Sequence, residues 1–430
     1  MPVSPIPRPR AALAAALGAA LVLLCVYLAH LAAIHRGYSE TDYNKFYASA
    51  QFALEGGSIY HPATAARFVP NGPAEEGEIL GPNLNPPFQT LLFLPLARLA
   101  LPDSFLAWSL LSLALGVAGA LLLARTAVPP GPERRAAEAG ALLLLLCSYP
   151  TWLGVELGQL SLLLLALLAA AWAAQRAGRE GLAGTILGVA LSIKLFAGLF
   201  LLMLLVQRRW RALLCALAGL LACNALAAAV LGASDYARYV EVLGAVTWLD
   251  RSWNASVTGF LERIIGATAE APLVRAPGLC RAAVAAASLG LLASWIWLAW
   301  RRPDRDLLFA ATVPLMLLLS PLGWAYYFPV LLVAFAAIGD HLLRQGRPSP
   351  WAWRLLALAW MAAAIRLPKE ALHPLWGWFV GPALPCYALL LLYGVIVATA
   401  ARQPAAAARP VRSRGLPATA VAGLGPATPA

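Results

Sequence analysis

Charge is what this sequence has least of: 12% of its 430 residues are Asp, Glu, Lys or Arg, against about a quarter in ordinary soluble domains. With 61% hydrophobic residues and a mean hydropathy of +0.73, that shortage excludes a soluble globular fold. Lysine is rarer still, occurring only as Lys45, Lys194 and Lys369. The six cysteines (Cys25, Cys147, Cys215, Cys223, Cys280, Cys386) lie in or beside apolar runs and form no CxxC pair. They read as small apolar fillers, which excludes a disulfide framework or a zinc-type site. The five histidines (His30, His35, His61, His341, His373) are scattered, so no bound metal is expected. There is no Gly-rich phosphate loop and no serine-nucleophile elbow. Solenoid-length repeats are absent as well, and the two halves lack the similarity that many transporters show.

What the sequence does have is long uncharged runs. Residues 11–34 carry no Asp, Glu, Lys or Arg, and a helix of that length crosses a hydrocarbon core about 30 Å thick. Comparable runs recur at 105–124, 139–153, 159–175, 182–206, 212–233, 282–300, 307–339, 355–365 and 383–401. The expectation is an all-α, polytopic transmembrane protein. The first run is too long for a cleaved secretory signal and is read as a retained span.

The net charge of +12 does not point to nucleic acid, because the basic residues are dispersed between spans, as in positive-inside topology. Arg208, Arg209 and Arg211, then Arg301, Arg302 and Arg305, then Arg344, Arg347 and Arg354 mark the cytoplasmic side. Connecting them makes 182–194 and 195–207 short legs meeting at Lys194. It also makes 307–319 and 324–340 spans meeting at Ser320-Pro321, and 86–100 a partial or interfacial helix. The count is about twelve crossings with both termini inside. A cytoplasmic segment 1–10 thus precedes one membrane domain, 11–401, with outer loops 35–104 and 234–277, and a disordered cytoplasmic tail, 402–430, follows.

Several polar groups then fall on the outer side. After the first span, Glu40 and Asp42 stand two residues apart, followed by Tyr43, Phe46, Tyr47, Ala50 and Leu54 at helical spacing up to Gly56-Gly57. This pattern predicts an amphipathic interfacial helix. Asp42 or Thr41 would cap it, or Asp42 would act as a general base; the two roles are compatible. Asn83-Leu84-Asn85-Pro86-Pro87 starts another helix. Gln159 ends a polar turn begun by Glu156. Lys194 lies inside an apolar stretch, where it either snorkels or meets an anion, phosphate being the expected one. Arg238, Arg251, Trp253, Asn254, Ser256 and Arg263 occupy the 234–277 loop. Asn254-Ala255-Ser256 fits a glycosylation sequon, and the arginines either grip a sugar or phosphate or anchor the loop. Trp324, Tyr326 and Tyr327 form an aromatic turn suited to a headgroup belt or to ligand contact.

Taken in order, these motifs resemble glycosyltransferase family 87, polytopic GT-C-type enzymes among which are polyprenyl-phosphate-mannose-dependent mannosyltransferases. The residues that carry the likeness are Asp42-Tyr43 through Tyr47-Ala48, Pro86-Pro87-Phe88, Gly158-Gln159, Lys194 and Arg208–Arg211. Asn254, Ser256, Gly259 and Arg263 continue it, and Ser320, Pro321 and Trp324 end it. Many members continue the last motif into histidines, where this chain has Tyr326 and Tyr327.

The resemblance implies a GT-C-like fold and a hexosyltransferase of the cell membrane whose site faces the extracytoplasmic side. It implies Asp42 as general base, with Glu40 in reserve. An outward site needs a donor that has crossed the membrane, so the expected substrates are a polyprenyl-phosphate sugar and a glycan or glycolipid acceptor. Inversion is expected, without metal or cofactor. Lys194, with Arg263 or Arg251, would hold the phosphate, while Tyr43, Asn85, Gln159, Asn254, Ser256, Trp324, Tyr326 and Tyr327 would shape the sugar and acceptor pocket. The competing readings are a secondary transporter or lipid flippase, which would place ionisable groups within several spans, and a lipid-linked glycan ligase or polymerase.

Overall fold

The computed structural model of the chain describes residues 9–38, 41–60, 83–266, 272–301, 304–345, 349–367 and 383–402. Glu40, Lys369 and the terminal segments 1–8 and 403–430 lie outside them. Among the described residues the regular elements are helical, and the one extended pairing is an isolated bridge between Asn254 and Trp324.

The chain opens with α1 (Pro9–Arg36) and turns into α2 (Tyr43–Leu54), which ends at Gly56 with a φ of 76°. Only glycine adopts that left-handed geometry without a side-chain clash, so the Gly-Gly stop is obeyed. α3 (Pro87–Leu91) starts on its prolines, and a 3-10 turn at Leu96–Arg98 leads to α4 (Leu101–Ala127). α5 (Pro132–Leu146) and α6 (Tyr149–Glu156) meet at a bend of 61°. Next come α7 (Ser161–Arg176), α8 (Glu180–Ile193) and, after a 3-10 turn at Leu195–Gly198, α9 (Leu199–Val206). Lys194 separates α8 from that turn in an extended conformation, with φ −149° and ψ 120°. The two legs read from the sequence therefore do meet there.

α10 (Trp210–Leu231) is followed by α11 (Ser234–Gly244), α12 (Val257–Ile265) and α13 (Pro277–Trp300). α14 (Arg305–Leu319), a 3-10 turn at Ala325–Val330 running into α15 (Leu331–Arg344), α16 (Pro350–Ala364) and α17 (Leu384–Ala401) complete the bundle. Six of the described helices are long and apolar enough to cross a membrane, seven if the bent pair α5–α6 forms one span. The remaining apolar helices, among them α7 and α8, are shorter. A count of about twelve thus exceeds the spans that length and composition alone identify in the described residues.

Burial separates the lipid-facing helices from the core. α1, α10 and α13 expose large apolar side chains such as Leu21, Val22, Leu221 and Leu289, a surface tolerable in lipid and costly in water. α7 and α14 are apolar and buried nearly all round, as helices at the centre of a bundle should be. α8 packs on α10 backbone to backbone. A Cβ on Gly184 would fall 2.0 Å from the Ala212 carbonyl oxygen, and one on Gly188 would fall 2.2 Å from that of Ala216. Small residues let membrane helices approach this closely.

One sequence-based expectation changes. α2 does not lie along an interface: Tyr43, Asn44, Phe46, Tyr47 and Ala48 are all buried in the bundle. Its aromatic residues find protein partners, with Tyr43 against Phe93 and Phe105 and Phe46 against Phe93. α3, five residues long, is the partial helix expected at 86–100, and it buries Pro87, Gln89 and Thr90.

Candidate active site

Asp42 occupies the position before the first turn of α2, yet its side chain makes no capping bond. Thr41 does that work instead, its Oγ1 accepting from the Tyr43 N–H at 3.3 Å. The Asp42 carboxylate is turned to other partners. Oδ1 meets the Lys45 Nζ at 2.9 Å and Oδ2 accepts from the Gln159 Nε2 at 2.5 Å. The side chains of Asp42 and Lys45 are 26% and 16% exposed, so the ion pair is largely shielded and still reachable. Between the two ways of reading Asp42, capping alone is excluded for its side chain.

Gln159 reaches Asp42 because of the turn that precedes it. Gly158 has φ 64°, and its carbonyl accepts from the Trp108 indole N–H at 2.8 Å. A Cβ on Gly158 would lie 2.8 Å from the Tyr43 Cβ, so only glycine lets the turn press against the start of α2. Tyr43 is fully buried, and its hydroxyl lies 2.5 Å from the Ser104 Oγ. It is part of the wall that fixes Asp42, with its own polar atom already engaged.

Lys194 lies within the field of this carboxylate. Its Nζ donates to the Asn85 Oδ1 at 2.6 Å and sits 5.2 Å from the Tyr327 ring centroid, a cation–π contact. Asn85 is held in turn by Asn83, whose Oδ1 accepts from the Asn85 Nδ2 at 2.9 Å. Asp42 and Lys45 are the charged groups whose fields reach the Lys194 ammonium, and the Asp42 charge also reaches Tyr326 and Tyr327. Among the described residues the site therefore holds one carboxylate and two lysine amines, bounded by Gln159, Asn85 and Tyr327. Lys194 is drawn inward to polar partners and does not snorkel.

The 234–277 loop makes a second group, in which Asn254, Ser256 and Arg263 are bonded within the protein. Asn254, wholly buried, donates through Nδ2 to the Leu249 and Pro321 carbonyls, both at 2.8 Å. Its Oδ1 accepts from the Ser256 and Gly323 amides at 3.2 and 3.0 Å. A side-chain amide has two donors and two acceptor lone pairs. With all four engaged, Asn254 has nothing to offer a sugar hydroxyl, and it laces the loop to the Ser320–Trp324 turn instead. Ser256 caps α12 by accepting from the Gly259 N–H at 3.0 Å.

Arg263 donates through Nη1 to the backbone oxygens of Arg251 and Asn254, both at 2.9 Å. Burial draws its guanidinium down to about 10. Arg251 contributes its carbonyl to this knot. Trp324 joins the knot to the first group: it pairs with Asn254 through the backbone and stacks on Tyr326 with 6.2 Å between centroids. Tyr326 adjoins Tyr327 at 4.8 Å.

The structure thus brings together Asp42, Gln159, Lys194, Asn85, Tyr326 and Tyr327. It puts Asn254, Ser256 and Arg263 behind them as support. Lys45 was not singled out from the sequence, although its i,i+3 spacing from Asp42 was a signal for an opposite-charge pair. Asn83 belonged to the Asn83–Pro87 motif without a role of its own, and Ser104 left no signal.

The glycosyltransferase family 87 model matches residues 83–321. That stretch includes Asn85, Gln159, Lys194 and Asn254 and leaves Asp42 before it. A polyprenol-phosphate-mannose-dependent alpha-(1-2)-phosphatidylinositol pentamannoside mannosyltransferase of Mycobacterium tuberculosis (strain CDC 1551 / Oshkosh) is 28% identical over 314 residues, which are 70% of this chain and 68% of the relative. No solved structure matches the chain.

Proposed function

The chain belongs to glycosyltransferase family 87, and on that premise we propose that it transfers a hexose from a polyprenyl-phosphate sugar to a glycan or glycolipid on the extracytoplasmic face of the cell membrane. Mannose is the sugar to test first, since the relative uses polyprenol-phosphate mannose. The observation that carries the reading is the Asp42 carboxylate, free of its helix cap, placed between Gln159 and Lys45 and within the field of Lys194.

Asp42 takes the proton from an acceptor hydroxyl as that oxygen attacks the anomeric carbon. The bond from that carbon to the phosphate oxygen breaks on the opposite side, so the centre inverts, and its electron pair leaves on the phosphate. Lys194, held by Asn85 and Tyr327, stabilises the charge that develops there. One lipid-linked phosphate held by an ammonium is a competent leaving group, so the scheme needs neither metal nor cofactor. Gln159 fixes the carboxylate and keeps one oxygen oriented while the other works.

Membranes containing the protein and a radiolabelled polyprenyl-phosphate mannose should transfer label to endogenous glycolipid. Asp42→Asn should lower transfer by about 10²–10⁴-fold, the range for loss of a general base. Equal transfer by the variant and the wild type would remove Asp42 from the mechanism.

A further inference from the structure

Among the described residues of the site, Asp42 is the one carboxylate beside the amines of Lys45 and Lys194. Lys45 is the one whose present partner changes in the reaction. Its Nζ lies 2.9 Å from the Asp42 Oδ1, and its side chain is only 16% exposed. Water therefore screens this pair far less than it would a surface salt bridge.

Resting on the glycosyltransferase reading above, we infer that Lys45 is a second phosphate-binding catalytic residue, which passes from the Asp42 carboxylate to the departing phosphate as the proton moves. A polyprenyl-phosphate sugar is a phosphodiester with one negative charge, so with both amines protonated on binding it, donor, Asp42, Lys45 and Lys194 sum to zero. In the transfer the acceptor O–H bond breaks and its proton goes to Asp42, which becomes neutral. The acceptor oxygen forms a bond to the anomeric carbon. The bond from that carbon to the phosphate oxygen breaks with its electron pair, leaving a phosphomonoester with two negative charges. Protonated Asp42, the two lysines and the monoester again sum to zero. The carboxylate loses its hold on Lys45 at the moment the phosphate gains a charge for it. A buried site with a single lysine would carry an uncompensated negative charge throughout, and the bond breaking would gather it on the phosphate, where it is costly away from water.

The test is a double-mutant cycle on the purified full chain in lipid nanodiscs, with polyprenyl monophosphate as the probe. Asp42→Asn releases Lys45 without transfer chemistry, so it should bind the probe about tenfold more tightly than wild type, the scale of one close charge coupling. Asp42→Asn with Lys45→Met should lose that gain. In the otherwise wild-type chain, Lys45→Met should lower kcat about a hundredfold with donor KM changed far less, and Lys45→Arg should restore part of the loss. Equal probe affinity in Asp42→Asn and wild type, or a gain that survives Lys45→Met, would overturn the hand-off. Failure of the wild type itself to bind the probe would instead overturn the glycosyltransferase reading beneath it.

Discussion

Asp42 and Asn254 are both short polar residues in turns just ahead of helices, and their side chains are used in opposite ways. Asp42 leaves its cap to Thr41 and turns to Lys45 and Gln159. Asn254 gives every donor and acceptor to backbone groups of its own loop and the turn it abuts. The two residues should therefore fail differently. Asn254→Ala strands buried amides and carbonyls, each worth about 1–3 kcal/mol when left unpaired, so it should lower the unfolding temperature in detergent. Asp42→Asn keeps its size and should leave that temperature nearly unchanged while abolishing transfer. Candidate residues read from composition alone cannot be sorted this way. An Asn beside a Ser and an Arg looks the same in sequence whether it binds a sugar or closes a loop, because the difference lies in partners such as Pro321 and Gly323, more than sixty residues away.

Among the elements, the breaks carry more information than the helices. Gly158 puts the end of the polar turn against Tyr43 at a left-handed φ. Gly158→Ala should cost about 1–3 kcal/mol of strain and should also cut turnover, because the new methyl pushes Gln159 and the start of α2 apart. A thermal melt and a transfer assay read the two effects separately. Normal turnover in a folded Gly158→Ala protein would show that the contact is not needed for the site.

The break at Lys194 works with the tight pairing of α8 on α10, where Gly188 leaves no room for a side chain. Lys194 therefore leaves the end of a helix whose position is fixed along its length. These breaks were legible in the sequence, since glycine, proline and an isolated lysine interrupt an apolar pattern locally. The burial of α2 was not. Its aromatic face suits a lipid interface as well as a protein one, and only the neighbouring Phe93 and Phe105 decide between them.

At the scale of the whole molecule, the bundle has two polar ends. Arg209 pairs with Glu180, which also receives Arg305 at 3.1 Å. Arg344 and Arg176 bind Asp340 at 2.9 and 2.5 Å, and Arg344 binds Asp306 at 3.1 Å. One arginine from each of the three basic clusters thus takes part in a single ionic region, as shared sidedness requires. The catalytic candidates lie at the other end of the same helices. α7 runs between Gln159 and Arg176 and, with 16 residues, covers about 24 Å. α8 likewise joins Glu180 to Lys194.

On the proposed reading a membrane separates the two ends, with the arginine end in the cytoplasm as positive-inside bias would have it. In a cysteine-less background, a cysteine at exposed Arg251 should react with an impermeant maleimide from outside intact cells. One at exposed Arg305 should react only after the membrane is permeabilised. The reverse pattern would put the site on the cytoplasmic face and remove the argument for a lipid-carried donor.

The sequence by itself determined that the chain is helical, that it belongs in a membrane and where its helices break. Those properties depend on residues within a turn or two of one another: uncharged runs, glycines at left-handed turns, prolines at helix starts. Only the tertiary structure decided which polar residues meet. Gln159 reaches Asp42 across 117 positions and Lys194 reaches Asn85 across 109, pairings that arise when distant helices pack and that leave no local pattern. Lys45, three residues from Asp42, was within reach of a local rule. Its nearness to the field of Lys194, from the far end of α8, was decided only by the packing.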